Sequence, residues 1–347
     1  MEIPVATMQD VARTAGVSLS TVSYALSGAR PVSAATKARI EAAMRALDFH
    51  PNAMARGLAS RRSQTLALTY PAVEQGLGGT AAEFVASAAA RARALGYHFV
   101  LWPFGPHEAD EIRALAQQGM ADGVLLMEVC LQDQRVEALR AAGVPFAMIG
   151  RTEVTAGLTY VDIDFERTVQ EAVAHLAALG HEHFGFVNHS EESWRRGYAA
   201  TRWARESFRS AIADRGLVGH DVLCHESPLA GRRAALELLS NDPDLTAIIT
   251  MNEIATFGLL AELRDGGRSV PEDISVLGIA TSPGVGQMSS PPLTTLHAPG
   301  AELGRRAVDA LVAMLRGEEP PEPSALVPCR LEPGASKIGR ASCRERV

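Results

Sequence analysis

Lysine is almost missing from this sequence. Of 33 basic residues only Lys37 and Lys337 are lysines. With so much alanine and arginine, that bias points to a GC-rich genome and carries nothing about function. Cysteine is scarce and scattered: Cys130, Cys224, Cys329 and Cys343 stand too far apart for a metal-binding or disulfide framework. Reduced thiols and a cytoplasmic setting are therefore expected. No apolar run approaches the length that crosses a bilayer, and Met1-Glu2-Ile3-Pro4 lacks the basic start of a secretion signal, so no membrane partner is expected. Catalytic signatures are missing too. There is no nucleophile elbow, no phosphate-cradling loop and no paired-carboxylate arrangement. Gly76-Leu77-Gly78-Gly79 has neither the spacing nor the downstream acid of a dinucleotide site, and reads instead as a flexible lip on a cleft. His181-Glu182-His183 would place its two histidines on opposite faces of a strand entry. Neither a metal, a cofactor nor an enzymatic activity is expected.

What is present is divided unevenly. At 347 residues the chain can hold two or three domains with sizeable cores. Residues 1–64 carry eight basic side chains against four acidic ones, a balance of +4, so the overall charge of −7 leaves −11 on the remainder. A basic head on an acidic body points to nucleic acid as the partner of the head alone.

The head has a recognisable local grammar. Thr7 can cap a first helix with Asp10 completing a capping box. Val11, Ala12 and Ala15 form its apolar face, and Gly16 can end it in a left-handed turn. Ser18 then caps a second helix that buries Val22, Ala25 and Leu26. Two short helices joined by a glycine turn form a helix-turn-helix, whose second helix enters the DNA major groove. That helix exposes Leu19, Ser20, Ser23 and Tyr24 without one carboxylate, which suits a phosphate-lined groove. The loop Gly28-Ala29-Arg30-Pro31-Val32 leads to a third helix, capped by Ser33 and running to about Leu47, with Ile40, Ala43 and Met44 facing inward. Pro51 and Asn52 can start a further helix of two turns, too short to be stable alone in water, which would order on DNA or beside a second copy.

From Ser63 the pattern becomes alternating strands and helices. Strands are predicted over 65–70, 97–102, 123–127, 145–149, 183–188, 222–224, 247–250, 274–278 and 325–331. Helices are predicted over 80–95, 109–118, 132–142, 166–179, 200–215, 230–239, 254–265 and 301–316. Repeated βα units make parallel sheets with helices on both faces, and there are enough for two. Ligands bind such sheets at the strand carboxyl ends.

The motifs Asp10-Val11-Ala12, Ala15-Gly16-Val17-Ser18, Thr21-Val22-Ser23, Pro31-Val32-Ser33 and Pro51-Asn52, followed by Ala55 and Leu58, resemble the DNA-binding head and hinge of the LacI/GalR family of bacterial transcriptional regulators. The resemblance implies an all-α helix-turn-helix head (1–50), a hinge helix (51–62) and a periplasmic-binding-protein-like α/β core of two parallel-sheet lobes (63–336). Lobe 1 is expected at about 63–162 and 291–323 and lobe 2 at 163–290 and 324–336, with crossovers near Asp162, Pro291 and Pro323. Residues 337–347 resemble an in-frame translation of a sequencing adapter and are expected to be non-native.

The implied function is sequence-specific DNA binding by a homodimeric repressor on a near-palindromic double-stranded operator, controlled by a small-molecule effector, a sugar or related metabolite, between the lobes. On that resemblance Leu19, Ser20 and Tyr24 meet base edges, while Thr7, Ser18, Thr21, Ser23 and Ser33 suit the DNA backbone. Asn52, Ala55, Arg56 and Leu58 belong to the hinge, with Leu58 wedging into the central base step, and Arg61 and Arg62 add backbone attraction. Members of the family commonly carry basic or amide side chains where Ser20 and Tyr24 stand, so short contacts such as a serine hydroxyl on a base are expected here.

The expected effector residues are Tyr70, Glu128, Arg151, Asn188, Asn252 and Glu253, with Arg202 or Arg205 from the facing helix. Ala204 stands where an arginine is usual, and Ile279-Ala280-Thr281 replaces a usual aspartate after the 274–278 strand. The alternatives are a solute-binding protein, which would need a signal peptide and no basic head, and an enzyme with a fused helix-turn-helix, which would need a catalytic constellation.

Overall fold

The computed structural model describes residues 6–27, 30–49, 63–71 and 78–339. The hinge residues Asn52, Ala55, Arg56 and Leu58, with Arg61, Arg62, Gly76 and Leu77, lie outside them.

The head is three helices: α1 (Met8–Ala15), α2 (Leu19–Ser27) and α3 (Ala34–Ala46). Thr7 and Asp10 form a reciprocal capping box at the start of α1. A cap of this kind contributes roughly 1 kcal/mol by satisfying backbone N–H groups that no helical carbonyl reaches. Gly16 adopts φ +63, the left-handed turn that breaks α1 from α2. Ser18 accepts from the Thr21 N–H at 3.1 Å, and Ser33 caps α3. Val11, Ala12, Ala15, Val22, Ile40 and Ala43 form the buried centre, with Leu26, Met44 and Leu47 around it.

The body holds two six-stranded sheets. The first contains β1 (Thr65–Thr69), β2 (His98–Trp102), β3 (Gly123–Leu126), β4 (Phe146–Ile149), β5 (Tyr160–Ile163) and β11 (Ser324–Val327), in the order β11-β5-β4-β3-β1-β2. The second contains β6 (His183–Asn188), β7 (Val218–Leu223), β8 (Ala247–Thr250), β9 (Ser275–Thr281), β10 (Thr294–His297) and β12 (Arg330–Glu332), in the order β12-β10-β9-β8-β6-β7. Every pairing is parallel except that of β12 with β10. The central strands are buried on both faces, as parallel sheets between helical layers require.

Lobe 1 carries α4 (Gly79–Ala94), α5 (Ala109–Gln117), α6 (Gln134–Ala141) and the late helix α13 (Gly300–Arg316), which packs along α4. Lobe 2 carries α7 (Phe165–Ala178), the short α8 (Glu191–Arg195), α9 (Ala199–Ala213), α10 (Pro228–Asn241), α11 (Glu253–Asp265) and α12 (Pro283–Met288). Helices α10 and α11 cross closely at Gly231 and Gly258. A Cβ on Gly231 would lie 1.8 Å from the Ala255 carbonyl oxygen, and one on Gly258 1.7 Å from that of Pro228.

The lobe boundaries differ from the sequence expectation. Residues 294–297 pair with β9, so they belong to lobe 2, and residues 324–327 pair with β5, so they belong to lobe 1. The chain crosses after Ile163, between His297 and Gly300, and between Val327 and Arg330. The expected markers Pro291 and Pro323 precede β10 and β11 and lead into them, since Pro323 already accepts a bond from the Tyr160 N–H at 2.9 Å. The predicted strand 325–331 is two strands in two sheets. The body also extends past 336: the Ile338 N–H donates to Ser275 Oγ at 3.0 Å, and its carbonyl lies 3.1 Å from His181 Nε2.

Candidate functional site

Two surfaces collect the candidate residues. On the head, Leu19 is 46% exposed, Ser20 is exposed, and Thr21, Ser23 and Tyr24 are half-buried along one side of α2. The hydroxyls at the start of that helix are already organised: Ser18 Oγ is 2.7 Å from Thr21 Oγ1 and 2.8 Å from Ser20 Oγ. Thr7 donates to Asp10 at 2.6 Å, and Ser33 lies 2.9 Å from Thr36 Oγ1. These short polar groups are held by helix capping, so their positions are fixed before any partner arrives. No acidic or basic side chain lies on α2.

The second surface is a cavity of about 370 Å³ between the lobes, within the size range of small-molecule sites. It lies at the carboxyl ends of β1, β3, β4, β6 and β8, as open α/β sheets favour. Of the expected effector residues, Tyr70, Glu128, Arg151, Asn252 and Glu253 line it. Asn252 is 1% exposed, and its amide is committed to capping α11 through the Ala255 N–H and to donating to the Cys224 carbonyl at 2.8 Å.

Asn188, Arg202 and Arg205 do not line the cavity. Asn188 is fully buried, donates to the Thr201 carbonyl at 3.0 Å and accepts from the His189 N–H, stitching β6 to α9. The inward face of α9 is apolar, built from Ala204, Phe208 and Ala211. Arg202 and Arg205 therefore turn to the Trp194 ring, 4.0 and 4.5 Å from its centroid, and Arg205 pairs with Asp221. A guanidinium on an indole face gains cation–π energy while its stem stays packed.

Other lining residues escaped sequence reasoning: Thr80, Asp162, His189, Arg196, Tyr198 and Glu226. The strand-end rule covers His189 and Glu226, which follow β6 and β7; Arg196 sits in a loop with no periodic signal. These groups pair across the cavity walls. Asp162 binds Arg151 at 2.7 Å, Glu128 binds Arg196 at 3.3 Å and Glu226 binds His189 at 3.0 Å. Burial pushes the Asp162 carboxyl up to about 7, against the pull of Arg151. Burial likewise raises Glu128, with Arg196 and His189 opposing. For Glu226 burial also acts upward, but the His189 hydrogen bond and charge outweigh it and leave the carboxyl below its ordinary value. Burial, reinforced by nearby carboxylates, keeps Tyr70 and Tyr198 well above the ordinary phenol range. Both remain O–H donors at neutral pH, so the cavity offers donors and acceptors side by side.

Behind Glu128 sits a fully buried arginine. Arg135 donates to both Asp133 oxygens (2.9 and 2.7 Å), to Thr69 Oγ1 (3.2 Å) and to the carbonyls of Met127 and Glu128 (3.0 and 3.1 Å). It holds the turn after β3, where Glu128 adopts φ +49, a conformation that disfavours a side chain.

Several contacts among the described residues join the lobes, Thr80 Oγ1 with the Ala280 carbonyl and His297 with Glu83 among them. Glu253 accepts from Thr80 Oγ1 at 3.0 Å and from the Ser282 N–H at 2.6 Å. The Ala199 N–H donates to the Val129 carbonyl and the Leu131 N–H to that of Gly197, at 3.0 and 2.9 Å. Glu128 and Arg196 also pair from one lobe to the other.

The comparisons with known proteins agree with this division. Residues 7–52 match the model of bacterial regulatory proteins of the lacI family, and 173–337 match a periplasmic binding protein-like domain. A solved complex of the transcriptional regulator CelR with cellobiose superposes with a TM-score of 0.70 at 28% identity, covering 95% of this chain and 99% of that one. The lac repressor dimer bound to operator and an anti-inducer superposes at 0.82 with 24% identity, over 96% and 99%, and shares the fold. The HTH-type transcriptional regulator CelR of Thermobifida fusca is 32% identical over 330 residues, 92% of this chain and 95% of its own. The chain belongs to the lacI family of bacterial regulatory proteins.

Proposed function

We propose that this regulator is a cytoplasmic homodimeric repressor whose two heads read the halves of a near-palindromic operator and whose cleft takes a small carbohydrate. The observation that carries the reading is the union, on one chain, of a charge-free reading helix in a basic head and a lined cleft between two lobes. In the cleft, carboxylates and guanidinium groups alternate with neutral phenols, which suits the donor–acceptor pattern of polyol hydroxyls. The cellobiose found on CelR, a relative at 28% identity in that complex, supports this ligand class. Dimerisation is supported by apolar side chains left exposed on α10, where Leu229 and Leu236 are 61% and 55% exposed.

An effector touching both lobes competes with or reinforces the contacts that join them, and so changes their angle. By its sequence, the hinge can start at Pro51 and Asn52 a helix of only two turns, too short to be stable alone in water. A small change of lobe geometry can therefore govern whether two hinges fold together in the minor groove, an order–disorder switch. Leu58 is the proposed wedge, unstacking the central step in return for added contact surface. Leu58→Ala is expected to weaken operator binding strongly in a fluorescence anisotropy titration while leaving carbohydrate binding by calorimetry unchanged. Equal operator affinity would refute the wedge.

A further inference from the structure

The reading helix carries no charged side chain, yet a guanidinium stands on it. Arg30, exposed in the loop after α2, lies with its Cζ 5.2 Å from the Tyr24 ring centroid, inside the range of cation–π attraction. Tyr24 is one turn beyond Ser20, so the two share the exposed side of α2. The stacked Arg30 therefore extends that side beyond its last side chain. No ion pair among the described residues engages Arg30. A guanidinium held over a ring at this distance keeps N–H donors available for a further partner. Stacking also restricts a side chain that would otherwise sweep a wide volume, so less freedom is lost when it meets a base.

The geometry points to Arg30 and Tyr24 as a composite base reader: Arg30 forks onto the O6 and N7 acceptors of a guanine, and the Tyr24 ring fixes its aim. This inference rests on the proposed operator reading by α2. It replaces the expectation that the head relies on short contacts alone. An arginine fork on guanine is the commonest specific contact in the major groove, and one held by a ring is preorganised for it. The guanine belongs in each half-site, next to the bases met by Leu19 and Ser20.

The test is a selection of duplexes by the full chain from a randomised pool, followed by anisotropy titrations against the selected duplex and its single-base variants. The wild type is expected to enrich a guanine at one symmetric position. Replacing that pair should cost on the order of ten- to a hundredfold in affinity. Arg30→Ala should erase discrimination at that pair and keep it elsewhere, and Arg30→Lys, which retains the charge but not the planar fork, should reduce it. Tyr24→Ala should do the same, and Tyr24→Phe, which keeps the ring, should retain discrimination. Arg30→Lys changes an exposed loop residue and leaves the helical core intact, so the test survives should Tyr24→Ala misfold. If Arg30→Ala weakens all duplexes equally and lowers the salt slope, Arg30 is a phosphate contact and the inference is overturned. Unchanged specificity in Arg30→Ala overturns it as well. Failure of the wild type to select any duplex overturns the operator reading itself, and the inference with it.

Discussion

Arg135→Met isolates the buried ion pair behind the cleft. Both side chains of the Asp133–Arg135 pair are fully excluded from solvent. Removing the guanidinium deprives Asp133 of bonds at 2.9 and 2.7 Å, leaving it with the backbone donors of Cys130 and of residue 135 itself. It also deprives the Met127 and Glu128 carbonyls of their shared donor. Breaking a buried pair by removing one partner costs about 3–5 kcal/mol, because the other charge stays buried. At roughly 2–4 °C per kcal/mol for domains approaching this size, the melting temperature should fall by roughly 6–20 °C. The double variant Asp133→Asn/Arg135→Met should recover part of the loss, since it removes the stranded charge. Thermal melts followed by tryptophan fluorescence measure this, with Trp102 reporting on lobe 1 and Trp194 and Trp203 on lobe 2. The same change releases the turn that holds Glu128, so carbohydrate affinity of the folded variant should fall as well. An Arg135→Met melt indistinguishable from wild type, or a double variant less stable than the single one, would refute the reasoning.

Glu253→Ala removes the acceptor of the Thr80 and Ser282 N–H groups, bonded at 3.4 and 2.6 Å, and of the Thr80 hydroxyl. Hydrogen exchange of the Thr80 and Ser282 amides is expected to accelerate, while the α13 core is unaffected; unchanged exchange at both amides would show that the carboxylate does not hold the lobes together. Asp162 gives a pH signature. Its folded carboxyl titrates at about 7, above the ordinary value of 3.8. The native state thus binds the extra proton, and this group's contribution to stability is full below about 4 and lost as pH rises through 7. The melting temperature of Asp162→Asn relative to wild type should therefore rise between pH 5 and 8; a difference independent of pH contradicts the shifted titration.

The head was legible because its signals are local. Thr7, Asp10, Gly16, Ser18 and Ser33 act on backbone groups within three or four residues, and each stands where the caps require. The apolar runs of β1, β3, β6 and β8 were equally legible, since a strand buried on both faces declares itself in its composition. The crossovers were not. Whether 294–297 joins one sheet or the other depends on pairing with Ser275–Thr281, and no local feature encodes that choice.

The cleft was partly legible from the strand-end rule, which pointed to Tyr70, Glu128, Arg151 and Glu253. The same rule pointed to Asn188, which instead stitches β6 to α9; Arg202 and Arg205, expected from the facing helix by resemblance, lie outside the cavity because the Trp194 ring competes for them, a partner that periodicity does not show. Arg135 was invisible for the opposite reason: an arginine after a polar turn reads as solvated, and only tertiary packing buries it. On the head, the carboxylate-free face of α2 was apparent, but the Arg30 guanidinium over Tyr24 is a contact that helical spacing does not show.

The most direct measurement is operator affinity with the cleft filled and empty. The full chain is titrated onto its selected duplex by fluorescence anisotropy, with and without a saturating carbohydrate, cellobiose first, that raises its melting temperature. Coupling through the lobes should change operator affinity by about tenfold or more, and by reciprocity operator DNA should change carbohydrate affinity by the same factor. A carbohydrate that stabilises the protein yet leaves operator affinity unchanged would contradict a switch between cleft and head.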